Sequence, residues 1–152
     1  MNVRAFTNDI CVSFLFPVLF GCTSVDCSVA LKTYHGKYVV AWSNGEANAH
    51  SDTIGAEEIW TVTFIGAGKV HFKGAFGNYL TAEDDGDAVA DRPWSSTWET
   101  FTVVDMGNGG FAFKSYHNKY LVAENDGFHL NADRDSASTW ETFEVILAGK
   151  KA

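Results

Sequence analysis

Along most of this chain apolar and polar residues alternate in short runs, as at Val70/Phe72, Phe101/Val103, Phe111/Phe113 and Phe143/Val145. A period of two is the mark of half-buried strands, and no stretch carries apolar residues at helical spacing. Asn44-Gly45, Asp85-Gly86 and Asp126-Gly127 punctuate the runs. Such pairs make tight hairpin turns, because Gly supplies positive φ and Asn or Asp tolerates it. The first residues break the pattern: residues 10–20 (ICVSFLFPVLF) are apolar except for Ser13 and Pro17. Eleven residues are too few to cross a bilayer. With Arg4 ahead and Gly21, Cys22, Thr23 and Ser24 behind, residues 1–27 read as a signal-like segment. Cleavage near residue 24 implies secretion, whereas retention or a different start implies a cytoplasmic or cytoskeletal protein.

Sliding the chain against itself by 41 residues aligns most of what remains. One copy runs Val70-His71-Phe72-Lys73, Gly77-Asn78-Tyr79-Leu80-Thr81-Ala82-Glu83, Asp91-Arg92 and Trp98-Glu99-Thr100-Phe101. The next runs Phe111-Ala112-Phe113-Lys114, Asn118-Lys119-Tyr120-Leu121-Val122-Ala123-Glu124, Asp133-Arg134 and Trp140-Glu141-Thr142-Phe143, with one extra residue after Gly127. The first copy is more diverged, keeping Leu31-Lys32, Gly36-Lys37-Tyr38-Val39-Val40-Ala41 and Glu58-Ile59-Trp60. Three repeats (29–69, 70–110 and 111–152) of about four strands each predict an all-β protein over residues 28–152. The compact threefold solution is a β-trefoil, a six-stranded barrel closed by three hairpins, since a three-bladed propeller leaves too few blades around its channel.

The repeat also disposes of much tempting chemistry. Glu83 and Glu124, Asp91 and Asp133, or Glu99 and Glu141 could be cast as acid and base pairs. Equivalent positions in threefold copies lie apart around an axis, whereas catalytic carboxylates share one cleft. Tyr38, Tyr79, Tyr120, Trp60, Phe101 and Phe143 are therefore assigned to the core frame, Trp98 and Trp140 to packing over neighbouring hairpins. Asp91-Arg92 and Asp133-Arg134 are assigned to closing turns, Glu99 and Glu141 to satisfying backbone donors. No G-x-S-x-G occurs, and the chain beyond Cys27 has no cysteine. All three thiols (Cys11, Cys22, Cys27) are expected to be inert or removed, so that disulfides do not hold the fold. His35, His50, His71, His117 and His129 lack metal-ligand spacing, and Asp84, Asp85 and Asp87 lack that of a calcium loop. No catalytic residue, metal or cofactor is expected.

Charge narrows the partners. The chain carries 11 Lys+Arg against 19 Asp+Glu, a net charge of −8, which opposes nucleic acid and anionic lipid. The pattern G-x-Y-L-x-A-E, D-G, D-R and W-E-x-F-x-V, read at residues 77–103 and, with Asn118 for the Gly, at 118–145, within a spacing that recurs three times, resembles the fascin module, the β-trefoil of actin cross-linkers. That resemblance implies binding to actin filaments, though fascins string four trefoils together and here there is one. The Q-x-W of ricin-type lectin trefoils is absent.

Two functions follow as expectations. The first is a non-enzymatic, fascin-like module for F-actin, bound through a local basic patch of His35, Lys37, Lys73, Lys114, His117 and Lys119. His35-Gly36-Lys37 and His117-Asn118-Lys119 are matching loops of two repeats. The alternative is a secreted β-trefoil for carbohydrate or cell-surface ligands, using exposed groups such as Trp42, Trp94 and Asp87.

Overall fold

A computed structural model describes residues 26–148. Twelve strands follow one another: β1 (Asp26–Lys32), β2 (Tyr38–Ala41), β3 (Ala47–Ser51), β4 (Trp60–Gly66), β5 (Lys69–Lys73), β6 (Tyr79–Ala82), β7 (Ala88–Arg92), β8 (Phe101–Gly107), β9 (Gly110–Lys114), β10 (Tyr120–Ala123), β11 (Leu130–Arg134) and β12 (Phe143–Leu147). Antiparallel pairing runs β1-β4-β5-β8-β9-β12 and returns from β12 to β1, so six strands close a barrel without a free edge. β2-β3, β6-β7 and β10-β11 are the three capping hairpins. Residues 1–25, which include nearly all of the signal-like segment, lie outside the described residues. No described helix is long and apolar enough to cross a membrane.

The alternating residues face one core. Val29, Leu31, Trp60, Val62, Val70, Phe72, Phe101, Phe113 and Phe143 are buried there. Phe72 meets Phe113 edge-on at 5.1 Å between centroids, and Phe113 meets Phe143 at 5.8 Å. Trp60 replaces the Phe of the other repeats and donates its indole N–H to the Val39 carbonyl at 3.0 Å. The larger ring takes space next door: a Cβ on Gly74 would sit 2.9 Å from the Ala41 Cβ and 3.2 Å from the Trp60 ring. Gly74 stands where the other repeats carry Thr33 and Ser115.

The hairpins hold one another in a cycle. The Gly45 carbonyl accepts from Ala90 N–H, the Gly86 carbonyl from Ala132 N–H, and the Phe128 carbonyl from Ala49 N–H, each at 2.8 Å. Gly45 and Gly86 have φ of +94° and +98°, and a Cβ on either would come within 3 Å of the Cβ of Asp91 or Asp133. Asp91 and Asp133 thus fill inter-hairpin contacts. In the third contact Phe128, the inserted residue, meets His50, with ring centroids 5.4 Å apart.

The glutamates assigned to the frame are there. Glu99 is buried and accepts from Ser96 N–H and the Thr81 hydroxyl, both at 2.8 Å. Glu141 accepts from Ser138 N–H at 2.7 Å, and Glu58 from Gly55 N–H at 2.6 Å. The arginines reach further than a turn: Arg92 lies 2.8 Å from Glu83 and 3.7 Å from Glu99, while Arg134 lies 2.7 Å from Glu124 and 3.8 Å from Glu141. Each guanidinium links a hairpin to the segment that follows it. One expectation is corrected: Cys27 is not an inert thiol but is disulfide-bonded, with the other half outside the described residues. Sequence spacing could not reveal the bond, because which thiols meet depends on the path of the chain before β1.

Candidate functional site

The loops entering β2 and β10 are built alike. The Thr33 and Ser115 hydroxyls accept backbone N–H groups of their own loops, from His35 and Lys37 in one and His117 and Lys119 in the other. His35 Nε2 lies 3.1 Å from the Ala123 carbonyl, and His117 Nε2 lies 3.1 Å from the Ala82 carbonyl. Each imidazole also meets a tryptophan edge-on, His35 with Trp140 at 5.2 Å and His117 with Trp98 at 4.8 Å. These two histidines therefore stitch one repeat to another, and Trp98 and Trp140 pack over neighbouring repeats as their recurrence implies.

Each lysine of the expected basic patch is held at a contact of its own. Lys37 is paired with Asp52 and Lys119 with Asp135. The lysine hydrogen bond in each case holds the aspartate below the usual carboxylate range. Lys73 and Lys114 lie over Tyr79 and Tyr120, at 5.7 and 5.6 Å from the ring centroids, and Lys32 does the same over Tyr38 at 5.9 Å. That contact recurs in all three repeats and belongs to the frame. The carbohydrate candidates are separated: Trp94 borders a cleft with Arg92 and Trp98, and Asp87 lines another with Glu46 and His129. Trp42 stacks towards His50 at 6.2 Å.

What the structure does assemble are two matching clefts between repeats. The larger, of about 420 Å³, lies between the second and third repeats and is lined by Lys69, Thr97, Thr100, Thr102, Lys114, Ser115, Tyr116 and Asn118. Its counterpart, of about 260 Å³, lies between the third and first and is lined by Lys32, Thr33, Tyr34, Asn108, Gly109, Gly110, Thr142 and Glu144. Tyr34 is 61% exposed and Tyr116 59%. Each stands edge-on to its histidine at 5.5 Å, so two stacks form, Tyr34-His35-Trp140 and Tyr116-His117-Trp98. At the third junction the corresponding residues are Ala75, Phe76 and Glu57.

Sequence reading singled out the histidines and lysines of these loops and passed over Tyr34, Tyr116 and Lys69. The signal was present: T-Y-H-G-K and S-Y-H-N-K stand against G-A-F-G-N in the second repeat. Among the described residues no group of His, Cys, Asp or Glu is arranged to hold a metal ion.

Comparison with known proteins agrees with the architecture. A family model described as FRG1-like domain matches residues 19–92. No curated protein matches the sequence. Among solved structures, a designed 3-fold symmetric protein, ThreeFoil, superposes with a TM-score of 0.70 at 19% identity, over 78% of this chain and 97% of its own. Strand pairing, internal triplication and this likeness together make the chain a single β-trefoil module.

Proposed function

We propose that the module is a non-enzymatic binding protein for carbohydrate, held at the two tyrosine-bearing clefts. The observation that carries this reading is the pair of exposed tyrosines at equivalent positions. A bulky aromatic ring left in water does not contribute to the core, and the second repeat folds with Ala75 in its place. Aromatic rings stack on the apolar faces of sugars, and surrounding hydroxyls supply hydrogen bonds to sugar hydroxyls. Thr97, Thr100, Thr102, Ser115 and Asn118 provide such groups in one cleft, Thr33, Thr142 and Asn108 in the other. Two weak sites on one chain gain strength together on a surface bearing many copies of the ligand. The disulfide at Cys27 suits an oxidising compartment.

Binding to actin filaments is the second reading, supported by the resemblance to fascin and by Lys69 and Lys114 of the larger cleft, which have no carboxylate partner among the described residues. Two assays separate them. The full chain is expected to bind members of an immobilised glycan panel and to lose that binding in a Tyr34→Ala/Tyr116→Ala variant with unchanged melting temperature. Pelleting with actin filaments at high speed, with no glycan bound, would reverse the order of the two readings.

A further inference from the structure

The three inter-repeat junctions have the same strands but different charge. In the larger cleft, β-sheet register sets Lys69 opposite Thr102 and Thr102 opposite Lys114, one row across β5, β8 and β9. The equivalent row in the smaller cleft is Gly110, Glu144 and Lys32, across β9, β12 and β1. At the third junction it is Ser28, Thr61 and Lys73. The rows therefore carry net charges of +2, 0 and +1, Glu144 cancelling Lys32 in the second.

Directly opposed residues in neighbouring strands have Cβ atoms about 5 Å apart, so Lys69 and Lys114 flank one strand and their flexible stems can converge on one group above Thr102. Lys69 Nζ is already 3.0 Å from the Thr102 hydroxyl. Neither lysine is in an ion pair with a described residue, although the chain has 19 acidic groups available to pair with. The basic residues Lys37, Arg92, Lys119 and Arg134 all have carboxylate partners. Two like charges flanking one strand, one on the Thr102 hydroxyl and one over the Tyr120 ring and neither with a carboxylate partner among the described residues, suit an incoming anion.

We propose that the cleft between the second and third repeats takes an anionic sugar, with the sulfate or carboxylate between Lys69 and Lys114 and the ring against Tyr116, while its counterpart at Tyr34 takes a neutral one. This rests on the carbohydrate reading above and gives it a substrate class. Charge-assisted hydrogen bonds from two ammonium groups imply a preference of about tenfold or more for the anionic ligand at low salt, shrinking as salt screens the pair.

The test is titration of heparin, and of heparin stripped of its sulfates with its carboxylates reduced to alcohols, into the full chain. Wild type is expected to bind heparin about tenfold more tightly. Lys69→Gln/Lys114→Gln should bring the two polysaccharides to parity, and Lys37→Gln/Lys119→Gln, with the same change in net charge, should leave the preference intact. Unchanged melting temperatures guard against misfolding. Equal affinity for the two polysaccharides, or a preference that survives Lys69→Gln/Lys114→Gln, would overturn the inference and leave the tyrosine clefts standing. Failure to bind any saccharide would overturn both. Capture of actin filaments through the same two lysines, with no heparin binding, would assign the cleft to an acidic protein instead.

Discussion

The two tyrosine clefts share a floor and differ in charge. Each has a Tyr-His-Trp stack, a hydroxyl that organises the loop, and a histidine reaching the carbonyl of another hairpin. Yet one carries Lys69, Thr102 and Lys114 where the other carries Gly110, Glu144 and Lys32. The lesson is that the residues the repeats have in common build the scaffold, and those on which they part set what each cleft can hold. The missing stack at Ala75, Phe76 and Glu57 makes the same point, since that junction closes without it.

The largest expected effect attacks the shared scaffold. Glu99→Ala would strip Ser96 N–H, the Thr81 hydroxyl and the Arg92 guanidinium of one buried acceptor, at a cost of about 3 kcal/mol. Glu141 makes fewer contacts, so Glu141→Ala should cost less; chemical denaturation of the two variants measures both. Equal losses would show that the two junctions are energetically alike despite their different bonding.

Gly86→Ala comes next. A φ of +98° and a Cβ 2.9 Å from that of Asp133 should lower stability by about 2 kcal/mol. Gly127, whose Cβ would meet nothing within 4 Å, should tolerate the same change with about half that loss, from its φ of +72° alone. Trp98→Ala follows, at about 2 kcal/mol because the ring is only half buried against His117, and it should also weaken ligand binding at Tyr116 but not at Tyr34.

Smaller effects sharpen the comparison through charge and pH. Glu144→Thr removes the carboxylate opposite Lys32 and should shift the second cleft towards anionic ligands, read by the heparin titration; a lysine at Gly110 is barred, because its Cβ would come 2.5 Å from Thr142 Cγ2. Burial holds the His71 imidazole below the ordinary 6.5, with Glu99 opposing, whereas its hydrogen bond to Asp126 holds His129 above 6.5. The same contact holds Asp126 at about 2. Because folding disfavours protonated His71, stability should decline as pH falls from 6.5 towards its lowered folded value. The exposed His129–Asp126 pair acts oppositely on the basic side, its contribution being fully present between 3.8 and 6.5, lost as pH falls from 3.8 through about 2 and lost again as pH rises through the raised histidine value. Proton NMR titration of the two imidazoles should place their midpoints on opposite sides of 6.5.

Much of the fold was legible because the repeat states its rules three times. Tyr38, Tyr79 and Tyr120, the Phe and Trp core positions, and the turn glycines needed only period and spacing. The clefts were harder to read, for two physical reasons. A histidine beside a lysine in a loop looks like a cationic patch, and only coordinates show that His35 and His117 face backbone carbonyls while Lys37 and Lys119 face aspartates. Lys69 lies 45 residues from Lys114 in the chain and meets it only because β8 pairs with both β5 and β9. The tyrosines gave a sequence signal in the contrast with Ala75, but exposure was required to separate a binding ring from a core ring.

The most direct test of the central claim is the number of sugars bound per chain, measured by isothermal titration to saturation with a neutral glycan from the panel, which the cleft at Tyr116 takes about tenfold more weakly than an anionic one. Two are predicted for wild type, one for Tyr34→Ala or Tyr116→Ala alone, and none for the double variant. A stoichiometry unmoved by either tyrosine would contradict the account and place the binding surface elsewhere on the trefoil.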